Sequence, residues 1–250
     1  CYGLTGDLVI PEGVTSIGDD AFYGCSGLTG DLEIPEGVTS IGDRAFSGCG
    51  GLTGITVESG NLYYSSVDGM LLSKDGTVLI QCPGGKTGSL VIPEGVTSIG
   101  DYAFSECYGL TGDLVIPEGV TSIGSSAFSW CYGLTGNLVI PEGVTSIGDY
   151  AFLDCDGLTG DLVIPEGVTS IGDYAFGWCY GLDGTLTLPS TLATIGDYAF
   201  YGCSGLTGFT VDSNNLYYSS ANGLLLSKDG LTLIQCPGGK TGSLVIPEGV

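Results

Sequence analysis

The 250-residue chain carries five Lys and Arg against 28 Asp and Glu and has no His, giving a formal charge of -23. A surface of that sign repels nucleic acid and anionic membrane, and the lack of imidazole excludes Ser-His-Asp and Cys-His catalysis. The 46 glycines recur at fixed places, as turn residues do, rather than in flexible tracts.

The first full phrase, Leu8 to Asp19, reads Leu-Val-Ile-Pro-Glu-Gly-Val-Thr-Ser-Ile-Gly-Asp. It returns 24 residues later from Leu32, then from Leu90, Leu114, Leu138 and Leu162. A fixed period of this size predicts a solenoid of stacked coils. In each coil Leu8 and Ile10 predict a short strand, ended where Pro11 removes a donor and Glu12-Gly13 turn the chain. Val14 and Ile17 form a second extended piece. Gly18 then bends the chain, and Asp19 is placed as the N-cap of a short helical or 3-10 turn whose inner face is Ala21, Phe22 and Cys25. Leu28 and Gly30 lead to the next strand. Stacking at the ~4.8 Å strand spacing makes each inward position a continuous apolar column, which one coil alone has no means to bury.

Cys1, Cys25, Cys49, Cys107, Cys131, Cys155, Cys179 and Cys203 keep one place in the unit. Equivalent side chains in a ladder point the same way, so these are expected to be free, buried thiols rather than disulfides. Zinc is disfavoured, with no C-x-x-C pair and no His. Two longer units interrupt the period, near residues 55–89 and 209–243, with matching Lys74 and Lys228, Lys86 and Lys240, Cys82 and Cys236. Asp75-Gly76 and Asp229-Gly230 lie between apolar runs and predict a two-residue hairpin inserted beside the stack. The whole of 1–250 reads as one solenoid domain. It begins and stops within a repeat and is therefore expected to be a fragment of a longer protein, and no apolar run approaches the ~20 residues of a membrane span.

The phrase from Ile140 to Thr159, Ile-Pro-Glu-Gly-Val-Thr-Ser-Ile-Gly-Asp-Tyr-Ala-Phe-x-x-Cys-x-Gly-Leu-Thr, resembles the BspA-like, Treponema-type leucine-rich repeats of bacterial surface proteins. The resemblance implies a leucine-rich-repeat solenoid. It further implies secretion or surface exposure, typically in anaerobes, and for several members adhesion to host matrix proteins or other bacteria.

Aromatic residues at the variable positions are the first binding candidate. Tyr102, Tyr150, Tyr174 and Tyr198 follow the Asp, Trp130 and Trp178 precede the Cys, and Tyr2, Tyr108, Tyr132 and Tyr180 follow it. Exposed rings suit sugar stacking or an interface hot spot; the plainer reading is that they cover the edge of each coil. Lys74 and Lys228 on the inserts are a second candidate, for contact with acidic neighbours, against a plainer role in blunting the hairpin edge. Columns of Glu12, Glu36, Glu94, Glu118, Glu142 and Glu166, and of Asp19, Asp43, Asp101, Asp149, Asp173 and Asp197, repel by roughly 0.9 kcal/mol per neighbour in water. Divalent cations would relieve that, yet no calcium-loop spacing occurs, and the Asp column is accounted for by capping.

No catalytic, cofactor or metal residue is assigned, since an active site is a unique cluster and these groups recur in every coil. The expected function is a non-catalytic, extracellular surface domain that binds a protein or glycan on host or neighbouring cells. The alternative is a structural array that acts as a spacer or self-associates end to end into a filament.

Overall fold

The computed structural model describes residues 3–250; Cys1 of the cysteine column and Tyr2 lie outside the described residues. The chain is a β-solenoid. Strands Leu110–Asp113, Leu134–Val139, Leu158–Val163, Leu182–Leu188 and Gly205–Val211 pair in parallel as one sheet. The two-residue strands Ser98–Ile99, Ser122–Ile123, Ser146–Ile147, Ser170–Ile171 and Thr194–Ile195 form a second. Alternation within a strand puts Leu162 and Ile164 inside and Val163 outside, as a period-two chain must.

The third side of the coil is not helical. Among the described residues the segment after Asp19 forms successive turns, Ala21 N–H to Gly18 O, Tyr23 N–H to Asp20 O and Cys25 N–H to Phe22 O. The alternate amides of Asp20, Phe22 and Gly24 donate instead to Asp43, Ala45 and Ser47 of the next coil, at 2.8 to 2.9 Å. A helix would turn every amide back into its own coil. Here positive φ at Asp20 (55°) and Gly24 (66°) breaks the helical run, and every second amide faces the neighbour, so the segment joins coils as a strand does.

The aspartates are therefore not helix N-caps. Asp149 Oδ1 accepts the amide of Asp173 at 2.8 Å, and Asp173 Oδ1 that of Asp197 at 2.7 Å. Each carboxylate receives a charge-assisted bond from the following coil, which offsets the repulsion along the column. The glycines before Asp43, Asp173 and Asp197 are required by this ladder: a Cβ on Gly172, for example, would lie 2.3 Å from Asp149 Oδ1. Gly157 has a different cause, since its Cβ would lie 2.3 Å from the Leu134 carbonyl oxygen of the coil before.

Phe104, Phe128, Phe152, Phe176 and Phe200 stack through the interior with ring centroids 4.9 to 5.5 Å apart. Cys131, Cys155, Cys179 and Cys203 are free thiols whose S–H groups donate to the carbonyls of Phe104, Phe128, Phe152 and Phe176, at 3.0 to 3.1 Å. Burial pushes the thiol of Cys203 from its ordinary 9.0 up to about 12 and that of Cys49 to about 11.

The first insert is a three-stranded meander, Tyr64–Val67, Met70–Ser73 and Val78–Gln81. It stands within the stack rather than beside it. Val78–Gln81 pairs in parallel with Ser98–Ile99, and the middle strand divides two apolar cores: Leu71 belongs to the core of residues 17–71, Met70 and Leu72 to the core that continues to Leu225. The two-residue turn is Asp68-Gly69, with φ of 50° and 73°, and not Asp75-Gly76, which lies in a four-residue loop over residues 74–77. The second insert repeats this with Asn222-Gly223. Each insert is pinned by a buried Asn. Asn61 Nδ2 donates to the carbonyls of Pro35 and Val38, and its Oδ1 accepts the amides of Tyr63 and Tyr64; Asn215 does the same one insert later. Tyr64 Oη then accepts the Ile41 amide at 2.8 Å, in place of a missing next strand.

Candidate functional site

Of the ten aromatic residues singled out in the sequence, Tyr102, Trp130, Tyr150, Tyr174, Trp178 and Tyr198 lie on the turn side of the solenoid and have positive φ, whereas Tyr108, Tyr132 and Tyr180 do not have positive φ. Tyr102, Tyr150, Tyr174 and Tyr198 lie between 50° and 58°, Trp130 at 60° and Trp178 at 56°. Left-handed backbone costs a residue with a Cβ roughly 1–2 kcal/mol, and bulky side chains are rare there. Glycine fills the equivalent place before the Cys in three coils, at Gly24, Gly48 and Gly202. In the other coils that inexpensive choice is replaced by Glu106, Trp130, Asp154 and Trp178.

The rings form an ordered strip. Tyr150 and Tyr174 stack at 5.5 Å, Tyr174 and Tyr198 at 5.0 Å, and Trp178 lies over Tyr174 at 5.8 Å. Tyr201, which the sequence pattern did not single out, packs edge-on against Trp178 at 5.3 Å and Tyr198 at 5.8 Å. Stacking covers the ring faces with one another, so the ladder shows solvent its edges and hydroxyls. Tyr198 remains 58% exposed and Tyr150 40%.

A second group precedes them. The Arg44 guanidinium lies 5.4 Å from the Tyr23 ring and 5.1 Å from the Tyr102 ring, and pairs with Asp20 at 2.8 Å. Tyr23 and Tyr108 both donate their hydroxyls to the Glu106 carboxylate, at 3.1 and 3.3 Å. Burial first, then the Glu106 charge, pushes the Tyr108 hydroxyl up to about 12. Trp130 Nε1 donates to Asp154 at 3.0 Å. Tyr132 stacks on Tyr108 at 5.9 Å.

The lysines fold back on their own inserts. Lys74 Nζ donates to the Asn61 carbonyl, Lys86 to that of Asp68, Lys228 to that of Ser213 and Lys240 to that of Asn222. Each thereby caps a carbonyl of the meander, while the glutamate column from Glu12 to Glu166 stands exposed. Among the described residues no group of three or more Cys, Asp or Glu is arranged to hold a metal ion, and no helix is long and apolar enough to cross a membrane. The structure adds two exposed apolar features that the repeat left unremarked. One is the ridge of Val91, Val115, Val139 and Val163 at one outward place in successive coils; the other is Leu62 with its copy Leu216, about three-quarters exposed. The alternation at Leu-Val-Ile carried the signal for the ridge.

The family described as BspA type leucine rich repeat region matches the chain in six copies, over residues 1–67, 84–207 and 159–222. No curated protein matches. Among solved structures, a leucine rich cell surface protein from Faecalibacterium prausnitzii A2-165 is 31% identical, with 90% of this chain aligned and a TM-score of 0.69. The alignment spans 65% of that protein's own chain. A leucine-rich repeat protein from Eubacterium ventriosum is 24% identical with a TM-score of 0.56 over 87% of this chain and 68% of its own. The pneumococcal vaccine antigen PcpA also has 24% identity and a TM-score of 0.56, over 84% of this chain and 51% of its own. These last two share the fold.

Proposed function

Because this chain belongs to the BspA-type leucine-rich repeat family, we propose that it is a non-catalytic binding domain, displayed outside a bacterial cell, that holds a protein partner against its aromatic strip. The observation that carries this reading is the backbone under the rings. Six bulky side chains occupy positions where φ favours glycine, a cost that stacking at the surface offsets only in part. Strain kept at a surface points to use of that surface. A partner of protein rather than sugar character is favoured because the ladder's ring faces are engaged with each other, leaving amphipathic edges of the kind that anchor protein interfaces. The charge of -23 selects a basic partner. Display at the cell surface is supported by the Faecalibacterium relative, itself described as a cell surface protein. An end-to-end array accounts for the columns but gives no reason for aromatic residues at positive φ.

The test is capture on an array of immobilised extracellular proteins and glycans, with Tyr174→Gly/Tyr198→Gly as the comparison. The reading expects saturable binding to one or more basic proteins that the double variant loses at least tenfold. Equal binding by both forms, or binding confined to neutral glycans, would refute it.

A further inference from the structure

The tyrosine ladder lacks one rung. Its column runs Asp20, Arg44, Tyr102, Ser126, Tyr150, Tyr174, Tyr198, and Ser126 is the one place after Tyr102 without a ring. Where the column is complete, neighbouring rings lie 5.0 to 5.5 Å apart. Tyr102 and Tyr150 are two coils apart, about 10 Å at the strand spacing, which leaves room for one flat group between them. A surface cavity of about 290 Å³ opens there, bordered by Tyr102, Ser126, Trp130 and Tyr150, with Glu106 at its side. Ser126 itself is only 8% exposed, so it forms the floor.

We propose that this vacant rung receives the guanidinium of an arginine on the partner protein, sandwiched between Tyr102 and Tyr150. The proposal rests on the binding-strip reading and names the chemistry that strip would recognise. Its main support is within the molecule: on the other side of Tyr102, across the coil that the first insert contributes, the Arg44 guanidinium already lies 5.1 Å from the Tyr102 ring. A planar cation thus already packs against a ring of this ladder. Arg44 also borders the cavity, but its charge is matched by Asp20 at 2.8 Å, while the Glu106 carboxylate accepts the neutral hydroxyls of Tyr23 and Tyr108 and forms no ion pair among the described residues, so it can serve a second cation. Guanidinium suits the slot better than ammonium, because it is planar, stacks on aromatic faces and is weakly hydrated.

The experiment titrates the protein with the capped tripeptides Ac-Gly-Arg-Gly-amide, Ac-Gly-Lys-Gly-amide and Ac-Gly-Tyr-Gly-amide at fixed ionic strength, following tyrosine ring resonances by NMR. The arginine peptide is expected to bind about tenfold tighter than the other two, shifting Tyr102 and Tyr150. Ser126→Tyr completes the ladder on a backbone that already carries tyrosine at the same φ in four other coils, so it should fold and lose this binding. Tyr150→Gly removes one wall and relieves its positive φ; it gives the same loss and serves if Ser126→Tyr does not fold. Equal affinity for the three peptides, tighter binding of the tyrosine peptide, or unchanged arginine binding in Ser126→Tyr would overturn the proposal. Any of these leaves the strip reading standing, since that is tested on Tyr174 and Tyr198, which do not border the slot.

Discussion

Two aromatic ladders run the length of the C-terminal core side by side, and they obey different rules. The phenylalanine ladder is buried and invariant, one Phe per 24-residue coil from Phe104 to Phe200. The tyrosine ladder is two residues away in each coil, stacks at the same spacing and changes from coil to coil. The inner ladder varies little because a smaller side chain would leave a cavity in a close-packed column. The outer ladder is under no such demand. Its backbone favours glycine, and Asp20, Arg44 and Ser126 show that the fold accepts other residues there. Aromatic identity in the outer ladder is therefore not demanded by the fold, and the proposed binding reading accounts for it by contacts outside the molecule.

The largest effect that would sharpen this contrast is Phe152→Ala, which removes a fully buried ring stacked on both sides. A loss of about 3–5 kcal/mol is expected in chemical denaturation. The thiols bonded to the phenylalanine carbonyls give a second effect. Their folded pKa values are raised, so the native state holds protons that the unfolded chain releases above about pH 9. The stabilisation is complete below that pH and is lost as pH rises through 11 to 12. Denaturation curves should show stability falling across this window, and Cys155→Ala/Cys179→Ala should flatten the fall. A smaller effect lies in the column between the ladders. Ser105 and Ser129 hydrogen-bond to each other at 2.9 Å, but the buried Ser47 Oγ, next to the first insert, has no partner among the described residues. Ser47→Ala should stabilise by about 1 kcal/mol and Ser105→Ala should not.

The apolar columns were legible in the sequence because burial at a fixed period leaves a fixed letter, as at Leu162, Ile164, Phe176 and Cys179. The turn side was not. Asp-x-Ala-Phe-x-x-Cys has the spacing of a helical turn after an N-cap, and only backbone angles reveal that the residue after the Asp and the one before the Cys are left-handed; tyrosine and tryptophan at those places conceal what glycine would have signalled. Asp149 was readable as a cap, but its real partner, the amide of Asp173, is 24 residues distant. The inserts announced their hairpins, whereas their place across the stack depends on Leu71 and Leu72 facing different cores, which alternation permits but does not dictate. Of the proposed strip, six of the aromatics named from the sequence lie on one face, while Tyr23, Glu106 and Tyr201 join them through contacts across coils.

The most direct measurement compares the unfolding free energy of Tyr174→Gly/Tyr198→Gly with that of Phe152→Ala, alongside binding on the protein array. Loss of stacking, about 0.5–1.5 kcal/mol per pair, is offset by relief of left-handed backbone at two positions, so the double variant should lie within about 1–2 kcal/mol of the wild type. It should nonetheless lose partner binding. A destabilisation as large as that of Phe152→Ala, or full binding by the double variant, would contradict the account, because the outer ladder would then serve the fold as the inner one does.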